Sequence, residues 1–481
     1  MYPELSLLID GEWIGQGGRR SLSVTNPATG EEIGQLPVAT LRDIDQAAKA
    51  AASAFAGWKS ETPFERARIL LRIAELLRRD AATIAPILTM EQGKPLREAQ
   101  AEISGAADIF EWMAEEGKRV YGRIVGSRIP GADQMIFRQA VGPIAAFAPW
   151  NFPVILSSRK IATALAAGCT VVIKPAEETP RSLVALARIC MEAGLPPGVL
   201  NVVFGEPSEI SESLIKNPII RKVSFTGSVT VGRHLATLAG KEMKKITLKL
   251  GGHSPVIVMP DVDTEKLADI SVAAKVRNAG QVCFSPTRYF VHEDGYAQFV
   301  DAFAARASAL NVGNGLHDNT EMGPLANERR VLAMRGLTEN ARSQGAKLVC
   351  GGYSTRSDDE RGNFWQPTIL SDVPDSAEIM INEPFGPIAA IVSFAKLEDA
   401  VQRANATDYG LGSYAFTNDA KSARYIQKHI QAGSISINTF AMTPPEMPFA
   451  GIKQSGTGVE MGAEGLSEYF DTKSVIWTDF A

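Results

Sequence analysis

Apolar and polar positions change period along the chain. In the first third the spacing is helical: Ile69, Leu70, Ile73, Leu76 and Leu77 mark one face. Just ahead of them Thr62-Pro63-Phe64-Glu65 supplies an N-cap, a proline at N1 and a glutamate at N3. From residue 170 short apolar runs at 170–173, 199–204, 221–225 and 245–250 alternate with helical stretches that begin near Pro180, Ser208 and Ser228. Such a βαβ series predicts an α/β fold with a doubly wound parallel sheet, its ligand loops at the carboxyl ends of the strands, in 174–179 and 226–228. No G-x-G-x-x-G fingerprint occurs, so periodicity alone leaves dinucleotide binding open. After Gly252 a second α/β series begins, with strands expected near 256–259, 289–292, 388–394 and 434–438. The proline-dense segment 443–448 reads as a shaped loop.

Composition narrows the classes. A chain of 481 residues with 45% hydrophobic content is too long for one ordinary core and too apolar for disorder, so two large domains or more are expected. A net charge of −5 without a run of Lys or Arg argues against a nucleic-acid partner. Residues 1–11 carry no basic leader, and no apolar run approaches the roughly 18–20 residues of a membrane span, so neither secretion nor membrane insertion is expected and the expected location is cytoplasmic.

Cys169, Cys190, Cys283 and Cys350 lie far apart with no C-x-x-C pair, which suggests neither a disulfide framework nor a zinc site. The five histidines are equally scattered, so no metal site is expected. Cys283, in Gly280-Gln281-Val282-Cys283, follows a helical stretch and precedes a strand, and so falls on a loop. Taken alone, it could equally be a buried small hydrophobe.

Its context is more specific. Pro149-Trp150-Asn151-Phe152-Pro153, Lys174-Pro175-Ala176-Glu177, Phe225-Thr226-Gly227-Ser228, Leu250-Gly251-Gly252, the Cys283 loop and Glu383-Pro384-Phe385-Gly386-Pro387 occur in this order. Together they resemble the aldehyde dehydrogenase superfamily, over essentially the whole chain. The resemblance implies that the Cys283 thiolate adds to an aldehyde carbon and that the Asn151 amide and the Cys283 backbone N–H receive the oxyanion. It also implies a dinucleotide held by Trp150, Lys174, Glu177, Gly227, Ser228, Glu383 and Phe385. A carboxylate at Glu177 accepts hydrogen bonds from a ribose 2′-hydroxyl and repels a 2′-phosphate, so NAD is expected over NADP, with NADP still possible.

Arg159, Arg277 and Ser455 resemble the carboxylate-binding set of succinate semialdehyde dehydrogenases, and Pro445-Glu446-Met447-Pro448-Phe449 is similar to α-ketoglutaric semialdehyde dehydrogenases. Two guanidinium groups converging on a pocket would select an aldehyde with a distal carboxylate; as helix-surface residues they would not. The two semialdehydes are not separated by sequence.

One position departs from the family pattern. Where the resemblance calls for Leu-Glu-Leu-Gly-Gly, with the glutamate as general base for thioester hydrolysis, the chain reads Leu248-Lys249-Leu250-Gly251-Gly252. An ammonium cannot take a proton from water at neutral pH. Three explanations compete: impaired deacylation, another carboxylate such as Glu460 serving instead, or Lys249 acting as base in its neutral form. Lys249 also leaves open a CoA-acylating dehydrogenase, in which a thiol replaces water, and a catalytically silent dinucleotide- or aldehyde-binding homologue.

The resemblance divides the chain into an NAD-binding domain (1–120 and 142–251), a catalytic domain (252–450) and a small β element (121–141 and 465–481) that would build a homodimer or homotetramer.

Overall fold

The computed structural model describes residues 2–355 and 361–479; residues 1, 480 and 481, at the ends of the expected segments, lie outside them. Thr40 and Asp43 form a reciprocal capping box that opens the helix Leu41–Ser60. The Thr62 hydroxyl accepts the Glu65 N–H and opens the helix Pro63–Gln92, whose expected apolar face is buried. Gly93, at φ 96°, ends it.

The first sheet has a parallel core in the order Leu200–Val202, Val171–Lys174, Ile144–Phe147, Lys222–Thr226, Lys245–Lys249. Helices cover both faces, which is why Val171–Lys174 is buried at every position rather than alternately. The central strand Ile144–Phe147 is absent from the sequence expectation: it has four residues, enclosed by Gly142-Pro143 and Pro149. Strand order reverses between it and Lys222–Thr226, and the loops at that reversal carry Trp150, Asn151, Gly227 and Ser228.

The second sheet is parallel over Thr368–Ser371, Ile388–Phe394, Pro286–His292, Ser254–Val258, Gly412–Phe416 and Ser434–Ile437, with Lys347–Cys350 antiparallel at one edge. Each sheet has its own apolar core. After the second core the chain returns to the first: Gly456–Thr457 adds to the edge of the first sheet, and Met461, Leu466, Tyr469 and Phe470 enter its core. The carboxyl ends of the first sheet thus meet loops at the amino ends of the second, where Cys283 and Glu383 lie. A separate three-stranded antiparallel sheet, Phe470–Thr478 with Ala132–Ala140 and Arg123–Val125, exposes Tyr121, Ile124, Phe137, Ile476 and Trp477.

Candidate active site

Backbone geometry builds the Cys283 loop. The helix Thr264–Val276 ends, and Asn278, Ala279 and Gly280 follow at φ 50°, 51° and 71°, three successive left-handed residues that turn the chain back. A Cβ at Gly280 would collide with the Gly386 carbonyl, and one at Gly252 with the Cys283 carbonyl, so two of the glycine motifs exist to let the backbone close around the cysteine. Tyr414 donates to the Phe284 carbonyl at 2.8 Å from the other side. Cys283 is left half-buried.

Asn151 opens onto this loop. Its side-chain amide donates to the Gln281 carbonyl at 3.0 Å, while its own carbonyl accepts from Asn278 Nδ2 and Lys94 Nζ, both at 2.9 Å. Lys94 is paired with Glu102 at 2.5 Å, and Glu102 accepts the Val154 N–H at 2.9 Å and the Ile155 N–H at 3.2 Å. The helix Pro153–Ala167 has no side-chain cap of its own, so this distant carboxylate caps it and fixes Asn151 in the same act.

Lys249 ends the strand Lys245–Lys249 and is 1% exposed. Its Nζ donates to Cys283 Sγ at 2.5 Å and lies 4.6 Å from the centre of the Phe449 ring. An ammonium here complements a thiolate and the oxyanion that follows from it. Glu460 is no free base beside it: Lys160 Nζ donates to its carboxylate at 2.6 Å, and Thr226 Oγ1 at 3.3 Å. Burial alone would raise the Glu460 pKa, but Lys160, Arg159 and Lys249 together hold it below the usual carboxylate range.

The arginines differ in setting. Arg159 projects from the buried helix Pro153–Ala167, is 5% exposed, and lies 5.3 Å from the Phe449 ring; its Nε and Nη1 have no hydrogen-bond partner among the described residues. Burial lowers its pKa, opposed by the charges of Glu460 and Cys283 and reinforced by that of Arg277. Arg277 is exposed, 5.2 Å from the Phe152 ring, and lines a cavity of about 470 Å³ with Val282, Phe284, Tyr414 and Phe440. Ser455 also has a structural role. It is 0% exposed; its hydroxyl oxygen accepts the Gly410 N–H and its carbonyl the Leu250 N–H, both at 2.9 Å, so it ties two loops together.

On the opposite flank, Lys174 and Glu177 form an ion pair at the carboxyl end of Val171–Lys174. Ser228 caps the helix Val229–Lys241, accepting the Val231 N–H at 3.4 Å, and the Gly227 N–H donates to the Lys249 carbonyl at 3.1 Å. Glu383 accepts the Gly252 N–H at 3.2 Å, and burial, opposed by that bond and by Lys249, Arg330 and Lys275, pushes its carboxyl up to about 7. Trp150 meets Phe385 edge to face at 5.6 Å. This donor set fits a dinucleotide: Glu177 with Lys174 would take one ribose, the helix end at Ser228 the pyrophosphate, and Glu383 the second ribose. Among the described residues no cluster of His, Cys, Asp and Glu could hold a metal ion, and no helix is long and apolar enough to cross a membrane.

Comparison with known proteins agrees with this arrangement. Residues 13–475 match the model of the aldehyde dehydrogenase family. The chain belongs to the aldehyde dehydrogenase family. It is 45% identical to a putative 4-(hydroxymethyl)benzenesulfonate dehydrogenase, TsaD2, of Comamonas testosteroni, over 98% of both chains. It is 40% identical to the NADP(+) succinate-semialdehyde dehydrogenase GabD of Escherichia coli, over 97% of this chain and 96% of the relative. A crystal structure of succinate-semialdehyde dehydrogenase from Burkholderia pseudomallei superposes with a TM-score of 0.95 at 40% identity, covering 98% of each chain.

As an aldehyde dehydrogenase, the chain is an oxidoreductase, and its site contains residues the sequence reading passed over: Lys94, Glu102, Lys160 and Asn278. The first three sit on or beside helices, where Lys and Glu read as solvated charge; only their tertiary partners mark them as buried. Asn278 lies five residues before Cys283, and a polar residue in a left-handed turn was the one available signal.

Proposed function

We propose that this enzyme oxidises aldehydes carrying an anionic group at the far end, with Cys283 as nucleophile, and that release of the acid is its slow step because Lys249 occupies the position expected for a base. The carrying observation is Arg159, a buried guanidinium beside Cys283 whose Nε and Nη1 lack partners. A buried cation with unfilled donors favours an anionic partner. Arg277 at the mouth of the aromatic-walled cavity supplies a second cation. The names of TsaD2 and GabD agree in one respect: benzenesulfonate and succinate semialdehyde both put an anion away from the reacting carbon. Succinate semialdehyde and α-ketoglutaric semialdehyde are the substrates proposed.

The thiolate adds to the aldehyde carbon, with Lys249 complementing its charge. The oxyanion is received by the Cys283 N–H and by the Asn151 amide, which is held by Lys94, Asn278 and Gln281. A bound nicotinamide dinucleotide supplies the hydride acceptor; NAD is the form proposed, on the carboxylate of Glu177. The acyl group remains on Sγ as a thioester. Its hydrolysis requires a base; Glu460 is held as a weak one by Lys160, and Glu383 is engaged by the Gly252 N–H.

Comparing kcat/KM for succinate semialdehyde and butanal tests the substrate class. The anionic aldehyde is expected to be preferred, and Arg159→Ala or Arg277→Ala to cost about 1.5–3 kcal/mol toward it and little toward butanal. Equal kcat/KM for both aldehydes in the unmodified protein overturns the proposal. The exposed three-stranded sheet, with its open apolar edge at Phe470–Thr478, supports assembly as a dimer or tetramer.

A further inference from the structure

We propose that Lys249 is an acyl acceptor: the acyl group formed on Cys283 passes to Lys249 Nζ, leaving a stable amide. The inference rests on the acyl-Cys283 intermediate proposed above. Its basis is the pair itself, Nζ at 2.5 Å from Sγ. A thioester carbon lies one bond from Sγ, which brings it within reach of the amine; groups held about 3–3.5 Å apart react with effective molarities far above any solute's. The amine is fixed in place, since Lys249 is buried and seated over Phe449, and it has no ion pair with a carboxylate among the described residues. The nearby carboxylate, Glu460, is occupied by Lys160.

The step balances without an oxidant or reductant. The reacting form of Lys249 is the neutral amine, so one proton passes from Nζ to solvent before attack. The Nζ lone pair adds to the acyl carbon and the C–S bond breaks. The remaining surplus proton on nitrogen goes to the departing sulfur, its hydrogen-bond partner. A thioester and an amine become a thiol and an amide, and water is outcompeted by a nucleophile already in place. Lys249 accepts only once, so the first acyl group is retained there as an amide and the acyl group of the next round stays on Cys283 as a thioester.

Two arms of one experiment separate this from the oxidation reading. In the first, the protein is treated with para-nitrophenyl acetate, without dinucleotide or aldehyde, quenched in acid at intervals and mapped by peptide mass spectrometry with and without hydroxylamine. The acetyl group is expected first on Cys283, removable by hydroxylamine, and then on Lys249, resistant to it. Cys283→Ala should lower Lys249 labelling by more than about tenfold, because direct acylation lacks the intramolecular advantage, and Lys249→Gln should hold the acetyl on Cys283. In the second arm, NAD and succinate semialdehyde should place one hydroxylamine-resistant succinyl group on Lys249 and a hydroxylamine-labile one on Cys283 as NADH formation slows.

Lys249 labelling undiminished in Cys283→Ala, or no acyl on Lys249 in either arm, overturns the proposal. Transfer in the ester arm without NADH in the aldehyde arm supports it and overturns the oxidation reading instead.

Discussion

Lys160 and Glu460 close a buried ion pair at 2.6 Å, one strand from the Lys249–Cys283 contact: Glu460 also accepts from Thr226, the register partner of Lys249. A buried pair contributes little net stability, but removing one partner strands the other's charge. Glu460→Gln is therefore expected to lower unfolding stability by about 3–5 kcal/mol, and the double change Lys160→Met, Glu460→Leu to recover most of it. Denaturant midpoints check this; a single change as mild as the double one contradicts it.

Sequence carried the βαβ series and the motif loops because each is local: Thr62 caps the helix it precedes, and Ser228 does the same for Val229–Lys241. It did not carry Lys160 or Glu102, whose partners lie 300 and 8 residues away, the second across a break between helices. Arg159 and Ser455 illustrate both sides. The same motif resemblance named both; packing leaves the first with open donors and engages the second's hydroxyl oxygen in a loop-to-loop tie. Only packing decides which buried polar atom stays available.

On the proposed reading, cofactor choice turns on Glu177, which forms an ion pair with Lys174. Glu177→Ser removes a carboxylate that repels a 2′-phosphate and frees a lysine that attracts one, so the kcat/KM preference for NAD over NADP should narrow. Equal use of both cofactors before the change, or an unchanged ratio after it, counts against the assignment.

Glu91 links stability to pH. Burial raises its carboxyl to about 7, against hydrogen bonds from Ser182, Tyr2 and the Arg181 and Ser182 N–H groups. A carboxyl with a folded pKa above its unfolded value of about 4.5 binds more protons folded than unfolded. Its contribution is fully present below the unfolded value and lost as pH rises through about 7. Thermal unfolding should show Tm falling more between pH 5 and pH 8 in the unmodified protein than in Glu91→Gln (a window of about three units around the folded value). Parallel profiles would show that Glu91 is not the titrating group.

Lys249→Glu should raise steady-state turnover, since it restores a group able to take a proton from the attacking water, an effect typically worth about 10²–10⁴ in rate. If turnover is unchanged or falls, Lys249 or Glu460 is already the working base. Glu460→Gln in the Lys249 protein separates these two when the rate is taken per folded site that still gives the NADH burst, because a burst retained with hydrolysis collapsed marks Glu460 as the base.

The most direct measurement is a stopped-flow record of NADH formation after mixing the protein with NAD and succinate semialdehyde. If Cys283 is acylated readily and freed slowly, NADH appears in a burst approaching one per active site, followed by a much slower phase as transfer to Lys249 or hydrolysis frees Sγ. Linear production from the first turnover at an undiminished rate, or no NADH at all, would contradict it.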